Sequence, residues 1–126
     1  MRDRRFTFWY YTVSHGQALL RSVQKDNDEN IDIYFGNVSY IEIPTVIDGL
    51  EIRTEPSSSD KEYINGKIGS TKQKITVLVH EEKKYYIVSS SIKIMKNNLL
   101  FHELPFDIPN DMGKVFYRPD EWYCIV

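Results

Sequence analysis

Ser14, His15 and Gly16 place a hydroxyl, an imidazole and a flexible residue side by side, at the end of a strand whose residues 6–11 are mostly aromatic. Nucleophilic catalysis needs the hydroxyl within hydrogen-bond reach of its base. Neighbouring residues of a strand point to opposite faces, so the two side chains meet only if a turn rotates one of them. The spacing predicts a hairpin tip whose polar residues cap the strands. Cys124 is the only cysteine, and a thiolate–imidazole pair would need it to meet His15, His80 or His102 across the fold. Within Trp122-Tyr123-Cys124-Ile125-Val126 it reads as a small buried hydrophobe.

Metal chemistry finds no pattern. The three histidines form no His-x-x-x-His, and Asp26-Asn27-Asp28-Glu29-Asn30 lacks the glycine and the bidentate glutamate of a calcium loop. Glu51 with Glu55, and Glu81 with Glu82, stand among basic neighbours and read as solvated surface. Glycine-rich phosphate loops and dinucleotide fingerprints are absent. The sequence therefore predicts no catalytic residue, no metal ligand and no cofactor.

Binding chemistry is better represented. Arg21 follows Ala18-Leu19-Leu20, and Asp32 lies between Ile31 and Ile33, so both charges are drawn to an apolar sheet surface. They read either as a cross-strand ion pair worth ~0.2–1 kcal/mol or as contacts to a ligand or partner. In the run Phe6, Phe8, Trp9, Tyr10, Tyr11, strict alternation puts Trp9 with Tyr11 and Phe8 with Tyr10. One of these faces is core; the other is covered by a second layer or forms a contact patch. Trp and Tyr dominate binding hot spots. The candidate binding residues are Trp9, Tyr11, His15, Arg21, Asp32 and Tyr34.

The elements that must position them repeat in twos. Ile31, Ile33 and Phe35, then Ile75, Val77 and Val79, then Tyr86, Val88, Ser90, Ile92 and Ile94 each share one face of a strand. Turn chemistry falls between the rows at His15-Gly16, Gly36-Asn37, Asp48-Gly49, Asn65-Gly66 and Met112-Gly113. Asn65-Gly66 predicts a type I′ hairpin. Strands are expected over 5–14, 17–22, 31–35, 38–43, 50–55, 61–64, 67–70, 73–80, 85–94, 114–118 and 121–125, with a short helix as the alternative over 18–24. Residues 25–30 and 56–62 read as exposed loops, and 97–106 has no clear period. The whole, residues 1–126, reads as one all-β domain: an antiparallel, strongly curved sheet or small barrel, with a two-sheet β-sandwich as the alternative.

Composition sets the outer bounds. A chain of 126 residues buries about two-thirds of its unfolded surface. It is 41% hydrophobic and 13% aromatic, with nine tyrosines. Sixteen basic and 18 acidic residues mix to a net charge of −2, which gives no electrostatic footprint for nucleic acid or a membrane surface. The one basic knot, Arg2, Arg4 and Arg5, reads as a solvated N-terminal arm. A lone cysteine, no secretory leader and no apolar stretch of ~20 residues make the cytoplasm the expected compartment.

Two likenesses follow. Residues 2–5 with Asn37-Val38-Ser39 are similar to the two nucleotide-binding motifs of PilZ barrels, but Glu42 stands where the second motif carries glycine. The first 50 residues, through Tyr10-Tyr11-Thr12-Val13-Ser14-His15-Gly16, Leu19-Leu20-Arg21-Ser22, Asn30-Ile31-Asp32-Ile33 and Ile43-Pro44-Thr45, resemble a group of small bacterial proteins with no known function. That resemblance implies a bacterial origin and transfers no active site. The expected function is non-catalytic binding of a protein partner, immunity-like or accessory, or of a second copy in a homodimer. A small-ligand barrel lined by Arg21, Asp32 and ring faces is the alternative, and an enzyme comes third.

Overall fold

The period-two rows become strands wherever a neighbouring strand shares their apolar face. A computed structural model describes residues 4–23 and 29–97, together with the backbone of 103–104, 116–117 and 122–124. In chain order the elements are β1 (Arg5–Thr12), β2 (Gln17–Val23), β3 (Asn30–Gly36), β4 (Tyr40–Glu42), β5 (Val46–Asp48), β6 (Glu51–Arg53), α1 (Ser58–Ile68), β7 (Lys74–His80), β8 (Lys83–Ser89), β9 (Ser91–Asn97), β10 (Glu103–Leu104), β11 (Phe116–Tyr117) and β12 (Trp122–Cys124).

Six strands form one antiparallel sheet in the order β12-β9-β3-β2-β1-β5, and four form a second in the order β4-β8-β7-β6. β10 and β11 pair in parallel as a separate ribbon. Phe6, Leu20, Ile33, Phe35 and Ile94 from the larger sheet share one cluster with Leu78 and Ile87 from the smaller, and Ile41, Ile43 and Ile52 pack against it. Burying an aliphatic or aromatic side chain of this kind contributes about 1.5–3 kcal/mol, so this cluster is the main source of stability. The fold is all-β. Among the described residues the strands form no closed barrel, because each sheet ends on two edge strands. The two-sheet sandwich is the arrangement found.

The expected hairpin over 61–70 is instead α1, and the loop expected over 56–62 is its approach and first turn. Ser57 Oγ accepts from the Asp60 amide at 3.2 Å, and Asp60 Oδ2 accepts from the Ser57 amide at 3.0 Å. This reciprocal box satisfies two amides that a helix start leaves open. At the other end Gly69, at φ +80°, donates its N–H to the Asn65 carbonyl. Caps at both ends outweigh the turn preference of Asn65-Gly66, whose flanks supply only Ile64 for burial. Ile64 packs on Ile75, Val77, Tyr86 and Val88, the outer face of the smaller sheet.

The expected strand 85–94 is divided. Ser90 turns a corner, its amide donating to the Gly36 carbonyl at 2.9 Å, so β8 belongs to one sheet and β9 to the other. The corner is held by Asn37 Nδ2 on Ser90 Oγ and by Gln73 Nε2 on both Ser90 Oγ and the Asn37 carbonyl. Ser39 Oγ donates to Gln73 Oε1, so Asn37 and Ser39, read for a nucleotide motif, serve as struts. The helix alternative over 18–24 gives way to β2, whose register with β3 buries Leu20 against Ile33. Of the basic knot, Arg5 is exposed to solvent as expected, whereas Arg4 is half-buried and tied down. Arg4 donates to Ser22 Oγ and to the carbonyls of Ser22 and Glu29, and Arg5 makes a two-pronged pair with Asp48; Arg2 lies outside the described residues. The turn at Met112-Gly113 and most of the loop 25–30 also lie outside them.

Candidate functional site

The six residues expected to bind all fall on or beside the hairpin of β1 and β2. Residues Thr7 and Phe8 pair with Arg21 and Leu20, whereas Tyr10, Tyr11 and Thr12 pair with Leu19, Ala18 and Gln17. Trp9 is the extra residue of a β-bulge, which shifts every later side chain to the other face. Phe8 and Tyr11 therefore share the inner face, in edge-to-face contact with centroids 6.5 Å apart. Trp9 and Tyr10 share the outer face, packed with Tyr34 around Leu19. Neither pairing that strict alternation predicts is present, since alternation counts residues and cannot see a bulge.

Beneath Trp9 lies a buried polar chain. Arg21 and Asp32 are direct cross-strand neighbours with 1% and 0% of their surface exposed. Arg21 Nε reaches Asp32 Oδ1 at 2.6 Å and Nη2 reaches Oδ2 at 2.7 Å. Asn97 Nδ2 donates to Asp32 Oδ2 at 2.8 Å, and Asn30 Nδ2 donates to Asn97 Oδ1 at 3.0 Å. The Arg21 guanidinium stacks 5.4 Å from the Trp9 ring centre. A planar cation with two parallel bonds and an aromatic lid is the geometry in which arginine is most tightly fixed. The guanidinium and carboxylate face each other and are enclosed by the sheet, so in this arrangement they brace the ring platform.

The hairpin tip stands in water. Tyr11 is 41% exposed and Val13 86%, and His15 is exposed beside them. The turn does rotate Ser14 and His15 together: Ser14 Oγ lies 2.9 Å from His15 Nδ1, and Thr12 Oγ1 is 3.2 Å from Ser14 Oγ. This corrects the expectation that their side chains diverge. No carboxylate among the described residues orients the imidazole, and both side chains are exposed at the tip. His80 Nδ1 donates to the Gly49 carbonyl at 2.9 Å, its Nε2 lies 4.0 Å from Glu81, and both residues border a cavity of about 410 Å³. His102 and the Cys124 side chain lie outside the described residues.

A second polar constellation escaped sequence reasoning because it depends on α1. Asp60 receives Lys84 Nζ at 3.1 Å and Tyr86 Oη at 2.9 Å, while Tyr40 and Tyr63 both donate to Glu42 Oε1, at 2.7 and 2.6 Å. Tyr63 stacks on Tyr86 at 4.8 Å. Burial pushes the Asp60 carboxyl up, but the Ser57 amide and hydroxyl, the Lys84 ammonium and the Tyr86 hydroxyl outweigh it and hold Asp60 at about 2. The hydrogen bond to Glu42, with burial, lifts Tyr40 to about 12; burial, with the bond to Asp60, lifts Tyr86 to about 12. These groups are locked in their resting protonation states at neutral pH, which fits a clasp for α1. The legible signal was Ser57-x-x-Asp60 with Ile64 and Ile68 one turn apart.

No family model, curated protein or solved structure matches the chain. No group of three or more histidine, cysteine or acidic side chains suited to a metal ion occurs among the described residues. No helix among them is long and apolar enough to cross a membrane.

Proposed function

We propose that this chain is a non-catalytic binding protein that engages a protein partner through the β1–β2 hairpin. The observation that carries the reading is the exposure of Tyr11 and Val13 on a rigid base. Val13 leaves about 86% of its surface in water, and Tyr11, two residues before it, is exposed as well. Large rings held by their neighbours lose little freedom on contact, so their burial converts efficiently into affinity. Phe8 fixes Tyr11 from behind, and the Arg21–Asp32 chain fixes Trp9. His15 and Ser14 supply polar contacts at the rim. The near-balanced charge and the single cysteine favour a cytoplasmic protein partner over nucleic acid.

The test is a photo-crosslinking amino acid placed at Val13 and, as control, at Glu82 in the exposed β7–β8 turn, with irradiation in cell extract. The expected result is one discrete adduct at position 13, competed by unlabelled protein but not by the Tyr11→Ser, Val13→Asp variant. An adduct of twice the chain mass would identify the partner as a second copy. Absence of an adduct at 13, or equal labelling at 82, defeats the proposal.

A further inference from the structure

α1 is fastened to the smaller sheet more by polar bonds than by packing. All but Asp60 and Ile64 of its eleven residues are exposed, and Ile64 is its one buried apolar side chain. A helix this short is marginal in water on its own, so it persists where tertiary contacts hold it. Besides Ile64, those contacts are Lys84 Nζ and Tyr86 Oη on Asp60, Tyr63 Oη on Glu42, and the stack of Tyr63 on Tyr86. Lys84 and Tyr63 are partly exposed, where water competes for each bond. A groove of about 560 Å³, bounded by Lys61, Ile64 and Asn65 of α1 and by Lys74 and Ile75 of β7, leaves the space between helix and sheet incompletely filled.

The connections are tied no more firmly. The chain enters α1 through residues 54–57 and leaves it through 69–73, and every residue of both segments is exposed or half-buried. Beneath the helix, Ile75, Val77, Tyr86 and Val88 are buried and form with Ile64 a cluster of their own, distinct from the inter-sheet core that holds Phe6, Ile33, Leu78 and Ile87. Units with separate cores and few shared contacts open separately. We propose that α1 is a latch: it releases from the smaller sheet as one unit while both sheets stay folded, and so bares the apolar face of Ile75, Val77, Tyr86 and Val88. Asp60, Tyr63 and Ile64 lie on one side of the helix at spacings of three and four, so their fastenings let go together. Once released, so short a helix melts, and its amides exchange with water. The latch is separate from the hairpin surface and stands or falls independently of it.

Hydrogen exchange of the unmodified protein, followed amide by amide by NMR, tests this. The amides of residues 62–68 are expected to share one opening and to be protected about a hundredfold less than those of Ile33 and Ile87. Ile33→Val weakens the inter-sheet core but not the latch, so it should lower protection at Ile87 about three- to tenfold and leave 62–68 unchanged. Tyr63→Phe removes the bond to Glu42 and should lower protection of 62–68 about three- to tenfold. In a Cys124→Ser background, the thiol of Val88→Cys should react with a thiol reagent with the same protection as the α1 amides. Four results overturn the proposal: protection of 62–68 equal to that of Ile33 and Ile87, a fall at 62–68 in Ile33→Val that matches the fall at Ile87, no change in Tyr63→Phe, or fast exchange of α1 with an unreactive thiol in Val88→Cys, which would mean that the helix frays in place.

Discussion

Arg21 and Asp32 face each other across β2 and β3 and are joined by two bonds of 2.6 and 2.7 Å in a site closed to water. Removing one partner leaves a buried charge uncompensated, so Arg21→Met or Asp32→Asn is expected to lower unfolding free energy by about 3–5 kcal/mol. Replacing both, as Arg21→Met with Asp32→Leu, should cost less than either single change. The residual loss, about 1–3 kcal/mol, reflects Asn97 losing its bond to Asp32. Urea unfolding of the three variants checks the order; a double variant weaker than both singles contradicts it.

Asp60 gives a signed pH dependence. Its folded value of about 2 lies below the ordinary 3.8, so its ionised form stabilises the fold above about pH 4, and the contribution is lost as pH falls through about 2. The shift corresponds to about 2 kcal/mol. Wild type should exceed Asp60→Asn by about that amount at pH 6, and the gap should close between about pH 4 and pH 2. Denaturant midpoints across this range measure it.

Tyr40 and Tyr86 predict the alkaline limb. Both fold with values near 12 against an ordinary 10, so their stabilisation is complete below about pH 10 and is lost as pH rises through about 12. Tyrosinate absorbance of Tyr40→Phe and Tyr86→Phe should each lack one ionisation near 12. If either variant instead loses one near 10, the hydrogen bonds to Glu42 and Asp60 do not hold.

Gly66 within α1 and Gly69 at its C-terminal cap should answer the same substitution with opposite signs. An added methyl at Gly66 or Gly69 meets no atom within 4 Å. Gly66 lies in helical backbone, so Gly66→Ala should stabilise by about 0.5–1 kcal/mol. Gly69 sits at φ +80°, where a Cβ is strained, and Gly69→Ala should destabilise by about 1–2 kcal/mol. Thermal unfolding of the two variants separates them.

Much of this architecture was legible because burial and spacing agreed. Ile31, Ile33 and Phe35 all face the inter-sheet core, and the row Ile75, Val77 and Val79 all faces α1. What was hidden lacked an apolar period. α1 buries only Asp60 and Ile64, so its pattern carries no stripe, and its start is written in capping residues. Ser90 fits a period-two row as well as it fits a corner. The bulge at Trp9 is invisible in a run where every side chain is a ring or a threonine. Arg21 and Asp32 were identifiable as a pair, but their energetics depend on a burial that no local pattern reports.

The bulge has its own test. Because Trp9 is the unpaired residue, its deletion leaves Phe8 opposite Leu20 and Tyr10 opposite Leu19. The shortened chain should fold, losing about 1–3 kcal/mol with the ring that covers Arg21. Circular dichroism and denaturant titration check this; an unfolded deletion variant would show that the bulge sets the twist of the hairpin.

The corner at Ser90 also shapes how the protein is made. β3 gains its second neighbour only when β9 emerges, and Asn97, the partner of Asn30, follows it by 67 residues. At about 5–20 residues per second, the edge of β3 stays uncovered on the nascent chain for roughly 3–13 s. Ile31, Ile33, Tyr34 and Phe35 would make that edge adhesive, and Asp32 sits in their midst. Asn97 is the last member of the Arg21–Asp32–Asn97–Asn30 chain to be synthesised, so that buried chain closes only when this edge is covered.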